Sequence, residues 1–137
     1  MSVIKSKRQE STVQFLDTAR KIYYFTKRQL VKLPKRYTFF GIQQTYTSAS
    51  KVLENVKRGN STYPTNAHEV QVRRDYFMAA LAELFVLSEY INDIRETFPI
   101  SDNTMIEWST MLADETRLIK GVLERDKERY KKAGFSP

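Results

Sequence analysis

The residues of this chain whose types and spacing can do chemistry are cationic. Lys57 and Arg58 stand together, Arg73 and Arg74 form a second pair, and Lys127, Arg129, Lys131 and Lys132 crowd the C-terminal stretch. With Lys+Arg 23 against Asp+Glu 16, the formal net charge is +7 and the pI ≈ 9.6. Guanidinium groups grip phosphate oxygens in a bidentate fork and ammonium groups act on them as point charges. The charge therefore favours a polyanionic partner, nucleic acid, with simple solubility as the alternative reading. Arg73 and Arg74 fall at the predicted start of a helix, where cations oppose the helix dipole, so local stability does not account for them. An ion pair with Glu69 or Asp75 is one explanation and phosphate contact is the other. The run 125–132 alternates in sign, which also suits a solvated helix end with spaced ion pairs.

Other chemistries lack their residues. Cys 0 excludes a thiolate nucleophile, a disulfide framework and a cysteine-built zinc site, and His 1 excludes a histidine pair. No glycine-rich phosphate loop and no Ser/His/Asp set can be assembled. His68 lies at the edge of a polar loop and reads as a helix-start or solvated residue. Some helical-bundle ribonucleases carry an Arg followed closely by a His on one helix; here a Pro-containing loop separates Arg58 from His68. The expectation is a chain that is not an enzyme and needs no cofactor or metal. The basic opening residues are followed by no apolar core of a secretory signal, and no stretch approaches the roughly 20 apolar residues of a membrane span. A soluble, cytoplasmic protein with no membrane partner is expected.

The elements that must position these charges are read from apolar periodicity. In the third segment Val70, Phe77, Ala80, Leu84, Leu87, Ile91, Ile94 and Phe98 recur every three or four residues, with only Arg73 interrupting. Such a stripe occupies one face of an α-helix. Similar stripes predict four helices over about 10–33, 37–58, 68–97 and 101–132. The second carries Phe39, Ile42, Tyr46, Ala49, Leu53 and Val56; the fourth carries Met105, Trp108, Leu112, Ile119 and Val122, with Glu115 and Asp126 on the same face. Pro34 stops the first helix, Gly59 is placed to end the second in the left-handed conformation, and Ser101 to cap the fourth. The tail 133–137 is expected to fray. The fold class predicted is all-α, a single domain over 1–137 built as an antiparallel up-down-up-down four-helix bundle.

In that topology the chain start, the loop over 59–67 and the chain end share one pole. Twelve Lys and Arg residues fall there, Lys5, Lys7 and Arg8 among them, against seven Asp and Glu that include Glu10. The excess at this pole is about +5, and at the opposite pole about +1. Consecutive aromatics, Tyr23, Tyr24 and Phe25, and again Phe39 and Phe40, cannot all face one core, so an outward ring such as Tyr24 is a candidate for a subunit interface or for base stacking.

The segment Leu33-Pro34-Lys35-Arg36-Tyr37-Thr38-Phe39 resembles the Phe-Pro-Lys-x-Tyr-x-Phe sequence that opens the second helix of the accessory variability determinant (Avd) proteins of diversity-generating retroelements. The similarity continues through Ile42, Asn55, Gly59 and Asn60, the Arg73 to Phe77 stretch, and Trp108 with Leu118, Ile119, Lys120 and Gly121. The same broad family includes four-helix proteins encoded in intervening sequences of large-subunit ribosomal RNA genes. The resemblance implies a four-helix protomer assembling into a barrel-shaped homopentamer with a basic surface. It implies binding of a reverse transcriptase and of RNA or DNA in mutagenic reverse transcription. The family's binding surface is a distributed charge, so no fixed set of site residues comes with it.

Overall fold

The computed structural model describes the backbone of residues 2–135 and the side chains of residues 14–135. The expectations for the charges of Lys5, Lys7, Arg8 and Glu10, and for residues 136 and 137 of the tail, lie outside the described residues. Four long helices and no strand occur among the described residues: α1 (Ser2–Leu30), α2 (Gln43–Ser61), α3 (Ala67–Thr97) and α4 (Asp102–Lys132). α1 packs on α2 and α4, and α3 packs on the same two, so the four enclose one core.

The helix ends follow from local hydrogen bonding. The first orphan donors of α3 are met by Asn66, whose side-chain oxygen accepts from the Glu69 N–H at 2.9 Å. The Glu69 carboxylate returns the favour, accepting from the Thr65 N–H at 2.7 Å and the Thr65 hydroxyl at 2.6 Å. These bonds to Thr65, the side chain's first, hold the Glu69 carboxyl below its usual pKa. Ser101 caps α4 by accepting from the Thr104 N–H at 3.1 Å. At the far end Gly134, at φ 80°, lets the chain turn left-handed. Its N–H donates to the Lys131 carbonyl at 3.1 Å and that of Phe135 to Tyr130 at 2.8 Å, a Schellman termination. The tail through Phe135 is thus tied to α4 rather than frayed.

Two expectations about α2 are corrected. Its regular turns begin at Gln43 and not near residue 37, because Gly41 adopts φ 122° and Phe40 a non-helical conformation, which breaks the path from the tight turn at Lys35–Tyr37. Phe39 consequently leaves the core stripe and is 75% exposed. Nor does Gly59 end the helix; it is helical, buried, and covered by Phe77. A Cβ at position 59 would lie 2.8 Å from Phe77 Cζ, so glycine is required there by close approach.

The apolar stripes meet where periodicity puts them. Ile22, Val52, Val56, Phe77, Leu87, Trp108 and Ile119 have essentially no exposed surface, each full burial of such a side chain contributing about 1.5–3 kcal/mol. The Trp108 indole N–H, which burial would otherwise leave unpaired, donates to the Thr26 hydroxyl at 3.0 Å. This explains why a threonine holds a fully buried place on α1. A smaller cluster of Leu30, Ile94 and Phe98 fills the opposite end, with the Tyr37 ring edge-on to Phe98 at 5.1 Å.

Candidate nucleic-acid interface

The last turns of α4 continue its inward stripe with Leu123, Asp126 and Tyr130, all buried. Lys127 and Lys131 follow one residue after the last two of these and are exposed. On α3, Val70 faces inward while Gln71 is half-buried and Arg74 exposed. The two helices leave a cleft of about 230 Å³ here, with Val70, Leu123 and Tyr130 supplying apolar wall and Arg74, Lys127 and Lys131 supplying charge. No ion pair engages any of these three cations among the described residues. Nearby Asp75 accepts from the Gln71 amide at 2.8 Å, and Glu69 is occupied by Thr65.

Arg73 has a different place from its neighbour. The structure turns it inward, only 9% of its side chain exposed, and joins it to Asp126, itself 11% exposed. Its Nε donates to Asp126 Oδ2 at 2.6 Å and its Nη2 to Oδ1 at 3.3 Å. Its Nη1 donates to the backbone carbonyls of Gly59 at 3.0 Å and Thr62 at 3.2 Å, two acceptors at the end of α2, where helical partners run out. The phosphate contact expected of Arg73 is corrected by this burial, and so are both proposed acidic partners, Glu69 and Asp75. A guanidinium with four of its five N–H donors engaged inside the protein is committed to the fold and not to a ligand.

The remaining predicted residues are exposed but lie outside the cleft. Lys57 and Arg58 sit on the last turns of α2, Arg58 with a loose 3.8 Å ion pair to Glu54. Arg129 lies 6.0 Å over the Tyr130 ring, and Lys132 is exposed at the end of α4.

Asp126 and Tyr130 are the residues that sequence reasoning left unassigned. The signal was present, since Arg73 interrupts one apolar stripe and Asp126 another at similar distances from the same loop-bearing end. A second buried acid, Glu115, has no hydrogen-bond partner for either carboxyl oxygen among the described residues, and burial pushes its pKa up to about 8.

Phe25 is buried against Trp108, Tyr23 shares a hydroxyl contact of 2.9 Å with Tyr46, and Tyr24 is exposed. No group of three or more metal-ligating side chains occurs among the described residues, and no described helix is long and apolar enough to cross a membrane. Comparison with models of protein families, with curated proteins and with solved structures gives no match.

Proposed function

We propose that this chain is a non-catalytic accessory factor that binds nucleic acid, RNA or DNA, through basic side chains gathered at one end of a helical bundle. The observation that carries the reading is the convergence of Arg74, Lys127 and Lys131, from two different helices, on one cleft with no ion pair to any of them among the described residues. Lys57, Arg58, Arg129 and Lys132 extend the charge around that end. The helices are read as running up-down-up-down. In support, Ser48 meets Glu83 while Gly59 meets Arg73, and Arg73 meets Asp126 while Arg95 meets Asp102. Neighbours whose numbering rises against each other point in opposite directions.

The resemblance at residues 33–39 extends the reading to a diversity-generating retroelement, in which a cytoplasmic homopentamer of this chain docks the element's reverse transcriptase. A ring of five would multiply the polarised charge of a protomer. The test is titration of labelled RNA and DNA at rising salt. Affinity that falls steeply with salt supports phosphate contact; salt-independent binding, or no binding to either polymer, removes it.

A second reading, a structural oligomeric adaptor without nucleic-acid binding, is favoured by Phe39 and Phe40, which are 75% and 76% exposed on the connection into α2. Reversing the charge of Arg74 separates the two, because an adaptor keeps its partner and a nucleic-acid binder loses affinity. Arg73 is unsuitable for this test because its guanidinium is buried on Asp126.

A further inference from the structure

The geometry points to capture of one unpaired nucleotide by the α3–α4 cleft, its base between Val70, Leu123 and Tyr130 and its flanking phosphates on Arg74, Lys127 and Lys131. This rests on the nucleic-acid reading and narrows it to single-stranded RNA or DNA.

Size, wall chemistry and charge agree on the ligand. The cleft, about 230 Å³, lies below the roughly 300–1,000 Å³ of pockets that enclose a whole small molecule. It takes part of a larger ligand, on the scale of a ring. Its lining joins the apolar Val70, Leu123 and Tyr130, which suit a flat base, to the cationic Arg74, Lys127 and Lys131, which suit a backbone. Lys127 and Lys131 stand one helical turn apart, about 6 Å along the axis, so neighbouring phosphates on one strand can be met together. Asp126 also lines the cleft, but its carboxylate is already doubly bonded to the Arg73 guanidinium, which removes most of its repulsion for a phosphate.

A duplex does not fit this arrangement. Paired bases present only their edges in a groove, whereas an unpaired base can leave the stack and offer its face to a protein surface. The charge alone would hold either form. The apolar slot between the charges is what distinguishes them.

The experiment measures binding of a ten-nucleotide strand carrying one central 2-aminopurine, as DNA and as RNA, beside the blunt duplex of the same sequence at equal salt. The full chain should bind one or both single strands about tenfold more tightly than the duplex, the worth of one stacked base, with a change in 2-aminopurine emission. Gln71→Trp, which closes the mouth of the cleft and leaves every cation in place, should abolish the preference and the emission change without weakening duplex binding. Leu123→Phe narrows the same space from one wall and should also abolish the preference and the emission change. Equal affinity for strand and duplex, or a preference that survives both substitutions, overturns the inference while leaving nucleic-acid binding intact. No binding of any form removes the parent reading and this one together.

Discussion

Arg73 and Asp126 form a buried bidentate pair, 2.6 and 3.3 Å between their donors and acceptors, that ties α3 to α4 directly beneath the basic cleft. The same guanidinium reaches the end of α2 through the carbonyls of Gly59 and Thr62. One side chain therefore fixes the relative positions of three helices at the end where Arg74, Lys127 and Lys131 converge. Rigidity under the cleft comes from the charge that sequence position alone would have assigned to its surface.

Breaking that pair should be costly. Arg73→Ala or Asp126→Ala leaves the other charge buried and unpaired, and each is expected to lower unfolding free energy by about 3–5 kcal/mol. Replacing both together, Arg73→Met with Asp126→Leu, should cost less than either single change, because no orphan charge remains. Denaturant unfolding of the three variants checks this. A double variant as unstable as the sum of the singles would contradict it.

Gly59→Ala gives an independent test of the packing. Alanine in a helix interior normally gains about 0.5–1 kcal/mol over glycine. Here the new methyl meets the fully buried Phe77, whose ring packs edge-on against Phe15 at 5.6 Å. Overpacking of about 1–3 kcal/mol should win, so the variant should melt below the parent. A rise in melting temperature would show that the ring gives way.

Glu115 should make stability fall with pH. Its carboxyl is pushed up to about 8 by burial, from 4.5 in the unfolded chain, so between those values the folded state holds a proton that the unfolded state has lost. The native state is then favoured below about 4.5 and loses roughly 1.4 kcal/mol per pH unit up to about 8, levelling off above. Glu115→Gln removes the titration. The difference between parent and variant, measured by unfolding at a series of pH values, should grow across this window and stay constant beyond it; a difference independent of pH would contradict the assignment. Glu69 works in the opposite sense, its lowered carboxyl supporting the fold until pH falls through its folded value.

How far the sequence discloses all this depends on whether a property is local. The apolar stripes, the break at Pro34 and the Ser101 cap are settled by neighbours within a turn or two, and they are legible. Gly59 and Gly134 look alike in sequence, but one is demanded by a ring from another helix and the other by its own backbone angle. Gly41 escaped notice because its effect is to delay α2 and turn Phe39 outward. Arg73 and Arg74 are adjacent and chemically identical, yet 100° apart around α3, so one enters the core and the other the cleft. Helical phase puts Arg73 on the apolar stripe and Arg74 off it, and Asp126 on α4 supplies the partner that holds Arg73 there. The site is thus half visible: the charges and their helical phase are in the sequence, and the partners that hold Arg73 are not.

The most direct test of the central claim compares the parent with Arg74→Gln/Lys127→Gln/Lys131→Gln, titrating a single-stranded RNA or DNA from low to physiological salt. These three side chains are exposed and in no ion pair among the described residues, so the variant should fold with unchanged helicity. Each lost phosphate contact should flatten the slope of log affinity against log salt by about 0.7, so the variant's slope should be shallower by about 2 and its binding weaker at every salt concentration. A variant that binds with the parent's affinity and slope would contradict the claim that this cleft meets nucleic acid.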